Sequence, residues 1–316
     1  MIEARSPLRL SLGGGGTDLP SYYRKRGGFL IAGALNRHVT VWLSKGDSNL
    51  PGEKVPPDDA MLLAAAQQLG LPHPLPWVRS AGDLPTGTGL GSSGSFLTAL
   101  VAALAAQRGL ALQPQRIAEL ACHVEIDQLG RAVGKQDQYA AAYGGLNCYH
   151  FHADDSVTVE PLAMPPGALQ RLAESCLLFF TGTTRSAAAV LEDQDHRTKA
   201  QDSAMIENLD QVKAMGFESR RLLERGAIAD YGALMGHHWE LKKKRSPAVS
   251  TVLADDAYAQ ARCNGALGGK LVGAGGGGFL LLVAEDPARV RFSLAALGLQ
   301  EAPFAFWPAG TQVIRQ

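Results

Sequence analysis

The order of helical and strand-like runs in this chain predicts an α+β fold, and three observations carry that reading. The runs are mixed rather than strictly alternating, which argues against a doubly wound parallel sheet. At 316 residues the chain is long enough for two domains or one large one. Three prolines between Pro161 and Gly167 mark the best boundary, so residues 1–163 and 164–316 are the expected units.

Residues 5–12 alternate as a strand and lead into a run of four glycines. Residues 29–34 and 39–43 read as two further strands, the second β-branched and aromatic. A polar stretch over 44–57 is a surface connection, and Asp58 or Asp59 is placed to cap a short helix through Met61, Leu62 and Leu69. Beyond Trp77 and Val78, a second glycine-rich segment runs into a helix with the stripe Phe96, Leu97, Leu100, Val101 and Leu104. Pro114 suits the first turn of a helix over 115–127, and a short helix (134–143) and a strand (146–152) follow. After the boundary, 176–180 reads as a buried strand, and helical patterns cover 187–225, 228–244 and 248–264. Strand-like runs at 271–272 and 279–283 flank a third glycine loop. A helix near 287–297 and a last strand near 304–307 end the pattern.

Composition narrows the partners. Lys plus Arg and Asp plus Glu both number 30, which gives no support for nucleic acid or an acidic membrane surface as partner. The four cysteines have no CxxC and no His at metal-ligand spacing, so buried thiols in a reducing cytosol are expected. The start carries no apolar signal-peptide core, and the longest apolar stretch, 96–106, falls short of the roughly 20 residues of a membrane span. A cytoplasmic location is the expectation.

The glycines carry the chemistry. Pro85, Gly87, Gly89, Leu90, Gly91, Ser92, Ser93, Gly94 and Ser95 lead straight into a helix. Successive backbone N–H groups, the unpaired first turn and about half a positive charge from the macrodipole make a polyphosphate site. Ser92 and Ser93 add hydroxyls for a phosphate oxygen or magnesium. No Lys follows, so this is not a Walker A loop, and no ribose-binding acid closes a second strand as a Rossmann fingerprint requires.

Phosphoryl transfer needs positive charge, a metal held by one or two carboxylates, and a group that orients the nucleophile. Glu125 is placed to hold Mg2+ together with Ser93, and Asp137, wedged between glycines and small residues, to receive or orient a hydroxyl. Spacing alone does not join Asp137 to Arg9 on the first strand. For a substrate that already bears a phosphate, the candidate cations are Arg185 and the run Lys242 to Arg245, of which Lys243 is taken as the contact. His238 and His123 read as satisfied core histidines.

The ordered motifs PxRxxLGGGGTD, PxGxGLGSSG and KLVGAGGGGF resemble the GHMP superfamily of small-molecule kinases over nearly the whole chain. Within it, GGGGTDLP, GKQDQY, TGTTRSA and WELKKK look like the D-glycero-D-manno-heptose 7-phosphate kinase group. The resemblance implies a two-domain fold, ribosomal protein S5 domain 2-like and then ferredoxin-like. It implies ATP and Mg2+, with 85–95 as the phosphate loop, Ser93 and Glu125 as magnesium ligands, Asp137 as the catalytic aspartate and Arg9 beside it as a second catalytic residue, expected to stabilise charge at the transferring group. Gly14, Gly15, Gly16, Thr17 and Asp18 would face the sugar, and Gly275, Gly276 and Gly277 would close near the phosphates. Galactokinases carry Glu-His before this Thr-Asp where the chain has Gly15 and Gly16, which argues against galactose. The implied reaction is phosphorylation of the anomeric hydroxyl of a heptose 7-phosphate. A kinase for fucose, a uronic acid or another hexose stays open, as does a kinase-shaped sensor without turnover.

Overall fold

A computed structural model describes residues 1–44, 46, 51–182 and 188–315 of the chain. Strand β1 (Ile2–Gly13) leads through the first glycine loop and α1 (Pro20–Arg26) to β2 (Gly28–Ser44). Next come β3 (Glu53–Val55), α2 (Ala60–Gln68), β4 (Trp77–Gly82), α3 (Ser92–Gln107) and α4 (Pro114–Cys122). A π-helical turn, His123–Gln128, extends α4, and α5 (Gln136–Tyr143), β5 (Leu146–Phe151) and β6 (Val157–Pro161) follow. The rest runs α6 (Ala168–Ser175), β7 (Cys176–Phe180), α7 (Ala188–Lys199), α8 (Ser203–Glu224), α9 (Ile228–Lys243) and α10 (Val252–Cys263). It finishes with β8 (Ala266–Leu271), β9 (Phe279–Ala284), α11 (Pro287–Ala295), β10 (Gln300–Glu301) and β11 (Gln312–Arg315).

Two antiparallel sheets organise these elements. The first has the order β11-β1-β2-β4-β3, with β5 also on β2 and β6 on β5. The second has the order β10-β7-β9-β8. Where two short strands are expected over 29–43, one long strand forms. Its first half pairs with β5 and its second with β4, and the expected break survives only as a register shift opposite Pro7 and Arg9 on β1. The helical pattern at 187–225 divides because Gln201 has a left-handed φ of 56° and Asp202 then caps α8, accepting from Met205 N–H at 3.0 Å. No strand forms at 304–307, where Pro303 and Pro308 bracket the segment and one isolated bridge joins Phe306 to Leu35. Asp59 does cap α2, accepting from Leu62 N–H at 3.0 Å.

The apolar layers explain how the sheets are held. One lies between the first sheet and α2 to α5, with Leu97, Leu100 and Leu104 among its residues. A second is shared by both sheets: Leu8, Leu10, Leu12 and Phe29 meet Leu178, Tyr231, Met235 and Phe279. A third, with Trp239, Leu280 and Leu282, covers the far face of the second sheet. Three of the cysteines are buried in these layers, but Cys263 is exposed at the end of α10, so the expectation of four buried thiols fails there. His123 is likewise exposed, hydrogen-bonded to Asp127 one helical turn on at 2.9 Å, and is not a core residue.

Candidate active site

Alternation along β1 sends Leu8, Leu10 and Leu12 into the shared layer and turns Arg9 and Ser11 the other way. Arg9 is only 5% exposed. Its Nε and Nη2 lie 2.8 and 2.7 Å from Asp137 Oδ1, and Nη1 donates to the Gly89 carbonyl at 2.5 Å. The Arg9 backbone N–H donates to Leu90 O at 3.0 Å. One residue therefore joins the first strand, the second glycine loop and α5. Among the described residues, Asp137 Oδ2 has no partner.

The second loop places a helix start against that pair. Gly87, Gly89 and Gly91 have φ of 72°, 85° and 81°, and no side chain caps α3. Its first-turn N–H groups are thus left for an anion. Asp137 reaches this end only because residue 94 is glycine: a Cβ there would lie 2.5 Å from Asp137 Cβ. Ser93 is exposed, and Ser92 Oγ is buried without a partner. Two expected contacts fall away as side-chain contacts. Leu90 is buried in the shared apolar layer, and Ser95 Oγ donates to Pro7 O at 2.8 Å.

Glu125 lies in the π-helical turn, 1% exposed, accepting from Gln138 Nε2 at 2.7 Å and Arg131 Nη1 at 3.3 Å. Burial raises its pKa, and the neighbouring Asp137 charge adds to the rise. The donors at this corner are the Glu125 and Asp137 carboxylates and the hydroxyls of Ser92 and Ser93. An all-oxygen set of this kind fits Mg2+. Among the described residues no group of three His, Cys, Asp or Glu is placed to hold a metal ion by itself.

The first loop behaves differently from its expectation. Gly15, Gly16 and Asp18 line a polar cleft beside Asp137, but Thr17 does not. Thr17 is fully buried, its hydroxyl 2.9 Å from Gly14 O and 2.8 Å from Phe29 O while accepting from Phe29 N–H. Gly14 is equally internal, since a Cβ there would come within 2.1 Å of Phe29 O. Asp18 accepts from the N–H of Gly16 and of Gln136, both at 3.1 Å, and burial raises its pKa with help from Asp137. In the third loop the cleft is lined by Gly273 and Ala274 rather than Gly275, Gly276 and Gly277. That loop presses on the second one: Phe279 N–H donates to Thr88 O at 3.3 Å, and Gly276 N–H is taken by Val249 O at 2.8 Å.

The cations are also redistributed. Lys243 is not in the cleft; it pairs with Glu240 at 2.9 Å and lies over the Trp239 ring. Its neighbours Lys242 and Arg245, with His238 and Lys270, line the cleft instead, and all four are buried. Arg185 lies outside the described residues. His238 is thus a cleft residue and not a satisfied core one, because its Nε2 has no partner. Sequence held a signal for three of these. His238, Lys242 and Arg245 recur at helical spacing from Tyr231 and Met235, so the α9 stripe begins apolar and turns basic. Lys270 opens the third motif, but nothing in that pattern marks it as facing the cleft.

A helix start open to phosphate oxygens and a carboxylate turned towards a polar cleft together describe a phosphotransferase acting on a small molecule. Comparison with known proteins makes the class specific. Residues 60–145 match the GHMP kinases N terminal domain, and 219–298 match GHMP kinases C terminal. A mevalonate kinase of Methanothermobacter thermautotrophicus is 31% identical, over 84% of this chain and 86% of its own length. A D-glycero-alpha-D-manno-heptose 7-phosphate kinase of Campylobacter jejuni is 28% identical over 98% of both chains. The crystal structure of a D-glycero-D-manno-heptose 1-phosphate kinase from Bacteroides thetaiotaomicron superposes with a TM-score of 0.79 at 26% identity, over 100% of this chain and 99% of that one. The chain belongs to the GHMP kinase family, and its two-sheet architecture is the two-domain fold of those kinases. No described helix is long and apolar enough to cross a membrane.

Proposed function

We propose that the protein is a sugar kinase that transfers the γ-phosphoryl group of ATP to the anomeric hydroxyl of D-glycero-D-manno-heptose 7-phosphate, giving the 1,7-bisphosphate. The observation that carries this reading is Asp137, which packs against Gly91 and Gly94 at the uncapped start of α3 and also lines the polar cleft. The full-length likeness to heptose phosphate kinases supports the choice of sugar.

In this reading the loop over 85–95 holds the ATP phosphates with backbone N–H groups and the Ser92 hydroxyl. Ser93 and Glu125 hold Mg2+, which when bound neutralises phosphate charge. Asp137 Oδ2 accepts the hydroxyl proton as the new O–P bond forms and the β–γ bridging bond breaks, releasing ADP. A loose transition state asks little basicity of it. Arg9 is a positioning residue, because its donors are committed to Asp137 Oδ1 and Gly89 O. Gln138 orients Glu125, and Asp18 fixes the start of α5. The dependence on a nucleotide substrate and the free thiols fit a cytoplasmic enzyme.

The test is ADP release with MgATP across a panel of sugars and their 6- or 7-phosphates. Heptose 7-phosphate is expected to be the best acceptor, and Asp137→Ala to lower kcat by about 10²- to 10⁴-fold with ATP binding retained. Equal turnover of galactose, or an Asp137→Ala variant with unchanged kcat, would remove the reading.

A further inference from the structure

The cleft beside Asp137 holds more positive charge than the protein itself neutralises. Arg9, Lys242, Arg245 and Lys270 line it, against the carboxylates of Asp18 and Asp137. Arg9 is paired with Asp137. The other three make no salt bridge to any described carboxylate, which leaves a surplus of two positive charges when both lysines are protonated; burial lowers the pKa of each, so it is an anion that would hold them charged.

Each of the three is held in place by neutral groups. Lys242 Nζ donates to Leu271 O and Gly273 O, both at 2.6 Å. Arg245 Nε donates to Asn208 Oδ1 at 2.9 Å and Nη2 to Gly15 O at 3.2 Å. Its Nη1 occupies space that exists only because residue 16 is glycine, since a Cβ there would lie 2.6 Å from it. Lys270 is 5% exposed and lines the cleft, and among the described residues its ammonium donates to no acceptor. Enclosing a lysine to this degree with no counter-ion disfavours its charged form, and an anion in the cleft would restore it. Burial, reinforced by Arg245 and Arg9, lowers the Lys270 pKa to about 7, as an unpaired ammonium in positive surroundings should behave.

Three neutral polar atoms in the same cleft are also buried without partners: Ser11 Oγ, Gln136 Nε2 and His238 Nε2. Unsatisfied buried groups of this sort mark a place where a polar ligand completes the hydrogen bonds. None of the second-loop residues 85–95 lines this cleft, so the surplus charge is not on the nucleotide side of Asp137.

We infer that Lys270, Lys242 and Arg245 form the binding site for a phosphate monoester already present on the acceptor, with Ser11, Gln136 and His238 facing the sugar hydroxyls. A phosphate monoester carries close to two negative charges at neutral pH, which matches the surplus. The inference rests on the kinase reading above and specifies which end of the acceptor lies where: the phosphate at the α9–β8 wall and the reacting hydroxyl at Asp137.

The experiment compares wild type with Lys270→Met on two acceptors that differ only in the phosphate, heptose 7-phosphate and heptose, at saturating MgATP. The ratio of kcat/KM for the phosphorylated over the plain sugar is expected to fall by about 10- to 100-fold, the worth of one charged hydrogen bond. Lys270→Met is also expected to melt higher than wild type without ligand, because it removes an unpaired buried charge. A structural role for Lys270 would give a lower Tm instead. Equal losses on both sugars, or a loss confined to the KM for ATP, would overturn the site, as would a uronate preferred to the sugar phosphate. If wild type turns over no sugar, the kinase reading fails separately. Calorimetric binding of heptose 7-phosphate against heptose then decides: discrimination that Lys270→Met abolishes upholds the site, and none overturns it.

Discussion

Asp137 is held by Arg9 through one carboxylate oxygen and also lines the cleft, and the rest of the site follows from that double position. Lys270 makes the site sensitive to pH in a direction that can be worked out. In the folded chain it keeps its proton only to about pH 7, whereas an unfolded lysine keeps it to about 10.5. Between those values the unfolded state binds more protons, so stability should rise as pH is raised through that window. The groups facing it are Arg9 on β1, His238 and Lys242 on α9 and Arg245 just beyond its end, none of which supplies a counter-charge. Denaturant midpoints measured from pH 7 to 10 should therefore climb more in wild type than in Lys270→Met. Over the same range the KM for a phosphorylated acceptor should increase, because the ammonium that meets the phosphate is being lost. A flat KM would separate Lys270 from acceptor binding.

Among the elements, α3 and α9 show what was legible beforehand and what was not. The second glycine loop could be read because its signal is local: glycines, then hydroxyls, then an apolar stripe. The Arg9–Asp137 pair could not, since 128 residues separate its members and only the closed sheet brings them together. On α9 the basic run was visible but its phase was not. One step along the helix moves the contact from buried Lys242 to half-buried Lys243, which turns back to Glu240. Thr17 misled in a similar way, since a polar residue after glycines reads as ligand-facing until the backbone shows it bridging its own loop to β2. The start of α3 yields a sharp expectation. Gly94→Ala would by helix propensity add about 1 kcal/mol of stability. Its methyl group would instead displace Asp137. Turnover should drop at least about tenfold, as for a misplaced reacting group, with a circular dichroism spectrum like wild type. Unchanged kcat would show that Asp137 tolerates displacement.

For the whole molecule, the two sheets share one apolar layer rather than meeting through a hydrated boundary. A polar interface between units would let each melt alone. Here Met235, fully buried, touches the layer to which both sheets contribute. Met235→Ala should cost about 2–5 kcal/mol. It should lower a single transition seen alike by fluorescence and far-ultraviolet circular dichroism. Two separated transitions would mean that the halves are coupled less tightly than their packing indicates. The same rigidity explains how a cleft built from β1, α5, α9 and β8 can hold charges that no local counter-ion restrains.

The strand β11 pairs with β1, so Glu3 lies opposite Arg315. During synthesis β1 leaves the ribosome long before β11, because every element from α1 to β10 lies between them in the sequence. Until then the first sheet has an open edge, able to pair with another nascent chain. Closing that edge therefore waits on a pairing between distant parts of the chain, and the hydroxyl contact of Ser6 with Thr311 at 2.8 Å, across 305 positions, belongs to the same late step.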